Sequence, residues 1–470
     1  MLWACLLLPH LALDGVQRRR LASDLPLVLV GGPAHTRHVL AVDAAARDAG
    51  LRPGLRLAAA QALLTRFDAV EHDPGATTRW HQLLAAWAYR YSGEVALWPH
   101  AIVLEISKSL NLFGPWPRLE AQLRAELQVL GFRHRIALAP TAQAAYVLAG
   151  VRDGAAVLEL DHLPHALQPI ALERARLPED AAASLRGIGI RTLDQLLRMP
   201  RDGLRRRYGA ALLEHLDWLT GAQTQVLNFY RPPDQLDLRM EWAHEIEQVQ
   251  ALVFPLRRLT GDLAVYLSGR DGGVQRFVLQ LEHRDHIVTE VPVGLLAPER
   301  EAAMLFELAR GRLEQLSLPQ PVVAMRLRAR ELPPFVPSAR DLFDTRPAQA
   351  LPLAQLRERL RARLGDQALS QLQRTTDPRP ERAQSMRAER PATALAASLP
   401  RPSWLLERPT PWRGGAPTIL AGPERLETGW WDGADMRRDY YVVETAQGQR
   451  AWVYTAPGER TGWMLHGWFA

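Results

Sequence analysis

The 470-residue sequence predicts a multidomain α+β protein. Three observations predict it. Residues 1–165 alternate short apolar runs with Ala/Leu-rich amphipathic stretches, whereas residues 166–222 carry only helical periodicity. Beyond Pro337 a Pro-, Arg- and Ala-rich stretch leads into a final segment holding seven of the 14 tryptophans. A chain this long exceeds one ordinary core, so three or more modules are expected.

The apolar opening, residues 2–8, reads as a buried first strand. The competing reading, a secretory signal, lacks a preceding basic segment, is interrupted by Pro9 and is followed by Arg18-Arg19-Arg20. Residues 25–30, 95–106 and 134–139 read as strands, and 56–64 and 118–130 as helices. Residues 236–332 place strand-like runs at 274–281 and 323–327 around a helical run at 298–316, which predicts a small α+β module. A basic amphipathic helix is expected over 353–363, and 375–402 reads as a linker. Strands at 440–444 and 449–454 should flank a turn at Ala446-Gln447-Gly448.

Hydrophobic content of 47% and charged content of 23% are those of a soluble globular protein. The net charge is +6, the pI is near 9.8, and Lys108 is the single lysine among the basic residues. That balance suggests a polyanionic partner. The lone Cys5 excludes a disulfide framework or a cysteine-based zinc site and fits a reducing, intracellular compartment. No run approaches the roughly 18 apolar residues of a membrane span, so no membrane partner is expected.

The strongest local motif is Ser184-Leu185-Arg186-Gly187-Ile188-Gly189-Ile190-Arg191-Thr192, a glycine–hydrophobic–glycine turn between two helices. Such a turn can aim backbone amides at a phosphate. Arg186 and Arg191 flank it, Arg205, Arg206 and Arg207 follow, and 184–215 carries seven Arg against two Asp and one Glu. The alternative is an ordinary helical hairpin with a solvated basic face. Phosphate-backbone binding here would be independent of sequence and sensitive to salt.

Several stretches together resemble the Y-family translesion DNA polymerases over residues 1 to about 335, and in detail the bacterial ImuB branch of that family. The family opens on a strand with two aspartates two residues apart; here Leu6 and Leu8 stand in their place. A later strand carries Asp-Glu; here Trp98-Pro99-His100-Ala101-Ile102-Val103-Leu104-Glu105 presents His100 and Ala101. Ala137-Leu138-Ala139-Pro140-Thr141 is similar to a third family segment, with Ala142 in place of its usual lysine. In the nucleotide-clasping segment, Asp43-Ala44-Ala45-Ala46-Arg47 keeps Arg47 and lacks the aromatic at Ala44.

The resemblance implies a right-hand architecture. A ferredoxin-like palm would span 1–14 and 76–165, small fingers 15–75, a thumb with the helix-hairpin-helix 166–225 and a little finger 235–335. A clamp-motif segment, basic helix and linker would fill 336–402, and a Trp-rich docking module 403–470. It also implies a damage-induced (SOS-type) role in translesion synthesis and mutagenesis, with DNA, the sliding clamp, an error-prone C-family polymerase and a RecA-like companion as partners, in the cytoplasm on the nucleoid. Two-metal phosphoryl transfer needs hard oxygen ligands. Leucine and alanine offer none and a lone imidazole suits other metals, so the expected protein has no catalytic metal, no cofactor and no polymerase chemistry. The competing reading is an active, low-fidelity polymerase whose carboxylates lie elsewhere.

Two peptides compete for the clamp. Ala339-Arg340-Asp341-Leu342-Phe343 follows a Pro-rich exit, and Asp341, Leu342 and Phe343 are the favoured set; Gln315-Leu316-Ser317-Leu318-Pro319 lacks the aromatic and should close a folded helix. The final 70 residues are charge-neutral, eight Arg against five Glu and three Asp. A neutral aromatic module suits protein docking better than nucleic acid. Trp430, Trp431, Tyr440, Tyr441, Trp463 and Trp468 are its candidates, each with a place in a β core as the alternative.

Overall fold

In the computed structural model the described residues are 1–20, 25–178, 181–336, 353–365, 368–369, 371–375, 377–387 and 401–470. They form two compact units, Met1–Arg363 and Leu364–Ala470. Each unit is mixed or β in content, and among the described residues no helix is long and apolar enough to cross a membrane.

The first unit is built outward from Trp3–Leu7, a strand buried at every position. It lies between Ala101–Glu105 and Arg135–Ala139, antiparallel to both, in a sheet completed by Val95–Trp98 and Ala155–Ala156. Side chains alternate between faces along a strand. Ala4 and Leu6 therefore join Leu83 and Leu84 of helix Pro74–Ala88 and the stripe Leu119, Leu123 and Leu127 of helix Trp116–Leu130. Trp3, Cys5 and Leu7 face the other way, with Tyr146 and Val147 of helix Ala142–Val151. A strand sealed on both faces reads as an unbroken apolar run, which is why 2–8 shows no alternation.

The expected single strand at 95–106 is two strands. Pro99 cannot donate to a ladder, and His100 takes a left-handed φ of 54°. Together they form the turn of a hairpin between Val95–Trp98 and Ala101–Glu105.

Leu27–Gly31, His38–Val42 and Asp68–Glu71 make a separate three-stranded sheet. Helices Ala181–Gly187, Leu193–Leu197, Arg201–Tyr208 and Ala210–Thr220 follow, and their buried Leu185, Leu196, Leu204 and Leu216 extend the core behind Leu7.

Residues 236–329 form an antiparallel sheet in the order Val288–Glu299, Val274–His283, Val322–Ala329, Leu236–Ile246. Helices Val253–Gly269 and Ala302–Leu313 pack against it. The first of these is not apparent in the sequence, because Pro255, Thr260 and Gly261 dilute its helical signature. It crosses Pro74–Ala88 so closely that a Cβ on Gly269 would stand 1.8 Å from the Ala86 carbonyl oxygen. The apolar core is continuous from Leu6 through Leu83 to Leu263 and Leu281. Within that core Arg18 and Asp262 form a buried ion pair, the guanidinium lying 5.0 Å from the Trp80 ring and 4.8 Å from Phe132. The basic helix Leu353–Leu364 docks here as well: Gln315 Nε2 donates to the carbonyls of Ala362 (3.0 Å) and Arg363 (2.8 Å).

The second unit is built on a five-stranded antiparallel sheet, ordered Trp404–Pro411, Met464–Trp468, Arg450–Thr455, Met436–Glu444, Thr418–Thr428. The predicted turn at 446–448 is present between Met436–Glu444 and Arg450–Thr455. Part of the stretch read as linker is folded into this unit. Gln371–Arg374 pairs with Gln384–Arg387, and Arg379 is buried between Asp377 and Asp432. Its Pro- and Arg-rich composition looks unstructured locally, but the acidic partner that orders it, Asp432, lies 53 residues away.

Candidate nucleic-acid interface

Strand parity decides what the end of Trp3–Leu7 can do. Leu6 and Leu8 are buried in the core covered by Pro74–Ala88 and Trp116–Leu130. Ala101 is buried on the opposite face, directly across from Leu7. His100 is exposed at the hairpin tip, and its carbonyl accepts from the Leu8 amide at 2.7 Å. The four positions expected at one site are therefore not together. The shared face carries Cys5, Leu7, Ala101 and Val103, one residue out of the expected register.

None of these side chains supplies the hard oxygen ligands that magnesium requires, and burial pushes the Cys5 thiol up, which keeps it an inert thiol. The residues do not fit a two-metal site. The nearby carboxylates have other tasks. Asp14 receives the Arg133 backbone amide (2.8 Å) and Nε (2.7 Å). Asp43 caps helix Ala44–Asp48 through the Ala46 amide at 2.7 Å. Glu105 sits across from Trp3, four residues along the ladder from Ala101, and accepts from the Ser107 amide at 3.1 Å. Among the described residues, no group of three or more His, Cys, Asp or Glu could hold a metal ion.

Arg47 is exposed on helix Ala44–Asp48. Its charge reaches His10, whose imidazole is held below its ordinary pKa by burial first and by Arg133, with Arg47 adding to the effect. Ala44 beside it offers no ring.

The glycine turn forms between Ala181–Gly187 and Leu193–Leu197, with Gly189 at φ 92°. That conformation is one a side-chain-bearing residue rarely adopts. The turn's amides are already engaged. Ile188 and Ile190 donate to the Leu185 carbonyl, Gly189 donates to that of Arg186, and the Arg191 amide is taken by Gln195 Oε1 at 2.7 Å. The amides of Ile188, Gly189 and Ile190 are thus occupied within the turn itself. Arg186 is held by Glu173 at 2.9 Å. Arg205, Arg206 and Arg207 are all exposed on the last turn of Arg201–Tyr208.

In the second unit Trp430 and Trp431 are 76% and 57% exposed, edge to face at 5.6 Å. Asp432, next in sequence, is clamped by Arg379 and Arg382. Tyr440 corrects the expected docking set: it is a core residue, stacked 3.9 Å from Trp452 with its hydroxyl 2.8 Å from His466 Nδ1. A phenol at the centre of a small core needs that partner. Tyr441 and Trp463 pack on each other at 5.0 Å, and Trp468 packs on Trp412. Asp341, Leu342 and Phe343 lie outside the described residues. In the competing peptide, Leu316 and Leu318 pack on the first unit's core and Gln315 holds the basic helix.

Sequence reasoning passed over Leu7, Tyr146, Arg135 and Arg176. Leu7 is singled out only by its register with Ala101, which the sequence does not fix. No local signal marks Arg176, which owes its place to tertiary structure.

No protein-family profile matches the chain. Protein ImuB of Caulobacter vibrioides (strain NA1000 / CB15N) is 27% identical over 456 residues, covering 89% of this chain and 100% of that protein. The likeness to ImuB spans that protein's whole length. The same figures hold for ImuB of C. vibrioides strain ATCC 19089 / CIP 103742 / CB 15. The first unit is 363 of 470 residues, less than that 89%, so the match to ImuB continues into the second unit. Among solved structures, the chain is similar to the insertion ternary complex of Dbh DNA polymerase (12% identity, TM-score 0.41, 71% of this chain and 100% of that one). It is similar also to DinB from Sulfolobus solfataricus (13% identity, TM-score 0.40, with the same coverage).

Proposed function

We propose that the protein is a non-catalytic, polymerase-like adaptor in DNA damage tolerance. The first unit would hold primer-template DNA, with residues 1–14 and 76–165 as palm, 15–75 as fingers, 166–225 as thumb and 235–335 as little finger. Asp341, Leu342 and Phe343 would engage the sliding clamp. The second unit would recruit an error-prone C-family polymerase and a RecA-like companion, in the cytoplasm at the nucleoid.

One observation carries the reading: the sheet face at the hairpin tip presents Cys5, Leu7, Ala101 and Val103 where phosphoryl transfer would need carboxylates. The full-length likeness to ImuB and the exposed arginines of Arg201–Tyr208 support it. Primer extension by the purified chain with magnesium or manganese is the test, and no extension above contaminant controls is expected. Extension that disappears on Asp14→Ala, Asp43→Ala or Glu105→Ala would establish the rival reading, an active low-fidelity polymerase.

A further inference from the structure

At the hairpin end of this face, around Leu7 and Ala101, arginines stand where carboxylates are missing. Arg135 lies directly across from Leu7 on the neighbouring strand, with the parity of Ala137, so it shares the face of Cys5, Leu7 and Ala101. Its guanidinium donates to the carbonyls of Gly150 (3.0 Å) and Val151 (3.3 Å) at the end of helix Ala142–Val151. Arg176 reaches the same face from a segment 41 residues further on. Its guanidinium carbon stands 3.7 Å from the Tyr146 ring centre, and Nη1 donates to the Tyr146 hydroxyl. That hydroxyl donates in turn to the Pro99 carbonyl of the hairpin turn at 2.8 Å, while Trp98 supports the ring edge-on at 5.0 Å. The Arg176 charge also opposes the upward push that burial gives the Cys5 thiol, so it acts directly over this face.

Three features set Arg176 apart from an ordinary surface arginine. It is exposed, yet no carboxylate among the described residues forms an ion pair with it, unlike Arg186 ten residues on. Its backbone sits at φ 52°, a region that side-chain-bearing residues rarely occupy and that tends to persist at sites with a task. Its guanidinium plane is fixed by stacking on a buried ring, so little freedom remains to lose when an anion binds.

We propose that Arg176, stacked on Tyr146 and backed by Arg135, is a phosphodiester-binding site that seats one backbone phosphate of duplex DNA over the hairpin tip. A carboxylate pair at this place would repel a phosphate unless metal ions intervened. With Leu7 and Ala101 in the floor, a fixed guanidinium attracts it without them. The site rests on the reading that the first unit binds DNA, and adds where on that unit a phosphate is held.

The test uses the full chain and a labelled primer-template duplex. Arg176→Gly is the informative variant, because glycine accepts the left-handed backbone that alanine would strain. It should weaken duplex binding roughly tenfold and lower the salt dependence by about one phosphate's worth of counterion release. Arg176→Lys should restore the salt dependence but not the full affinity, since lysine keeps the charge and loses the stack. The melting temperature of both variants should match the parent. Unchanged affinity in Arg176→Gly, or an affinity loss that tracks a lowered melting temperature, overturns the proposal. Phenylglyoxal mapping of the parent chain separates the site from the wider reading. Protection of Arg176 by duplex supports the site. Protection of Arg205–Arg207 while Arg176 stays reactive overturns the site and leaves DNA binding standing, and protection of no arginine overturns both.

Discussion

The described residues include two five-stranded sheets that achieve order by opposite means. In the first unit the central strand Trp3–Leu7 is sealed on both faces, and the two cores it separates extend into every neighbouring helix. In the second unit the apolar cluster is small, centred on Val443, Ala451 and Val453, and the edge strand Thr418–Thr428 is exposed along most of its length. Ion pairs and stacked rings supply the rest: Arg425 with Asp439, Arg401 with Glu424, and the mutual cluster of Tyr440, Trp452 and His466. A sheet held by burial tolerates losing polar groups from a reactive site, because leucine and alanine add to its core. A sheet held by polar contacts depends on each partner and can leave aromatic residues free for binding.

The sharpest way to break this contrast is to place an unpaired charge in the burial-held unit. Asp262→Ala leaves Arg18 buried without its counter-charge and should cost about 3–5 kcal/mol in denaturant unfolding of the full chain. A cost below about 1 kcal/mol would mean that water reaches Arg18. Next in size is Leu6→Ala, which opens a cavity in a fully buried position and should cost about 2–5 kcal/mol. His100→Ala, at the exposed hairpin tip, should cost far less despite lying in the same expected site. Equal costs would refute the placement of Leu6 in the core rather than at a surface site.

For the polar-held sheet, acidification is the probe. Burial lowers the His466 pKa from 6.5 to about 4, against a smaller upward pull from Glu381. The fold therefore favours the neutral ring. As pH falls from 6.5 towards 4 the unfolded chain takes up its proton first, and stability drops through that window. Melting curves of the parent and His466→Gln should diverge there and run parallel above pH 7; parallel curves throughout would exclude His466 as the cause. Arg379→Ala should lower the melting temperature of the second unit's transition and expose the 429–435 loop to protease, because Asp432 loses its buried partner. The smallest expected effect on stability comes from Trp430→Ala with Trp431→Ala. Both rings face solvent, so folding should be unchanged while partner capture is lost; capture at parental levels would move the docking site elsewhere.

Much of the architecture was legible from periodicity. The first strand, the helices near 57–63 and 116–130, the helical block after 166 and the strand-turn-strand at 436–455 follow directly from apolar spacing and turn residues. The candidate site was legible only in outline. An apolar strand without Asp-x-Asp shows that carboxylates are missing, but a one-residue register shift exchanges the faces of a strand. The sequence offered no means of choosing Leu7 over Leu6 and Leu8. Helix Val253–Gly269 was masked by its proline and glycine, and Tyr440 looked like a binding residue until its stack with Trp452 was seen.

Composition and motif alone determined that neither apolar strand carries an Asp-x-Asp or Asp-Glu pair, that arginine carries nearly all the positive charge, and that half the tryptophans lie in the last 70 residues. These are properties of which residues occur, and need no folding to be true. Only the tertiary structure decided which side chains share the hairpin face, that Arg379 is buried against Asp432, and that Arg176 stands over Tyr146 beside the Pro99 turn. Each of those depends on strand parity or on partners tens of residues apart, and such partners are chosen by the packing of whole elements.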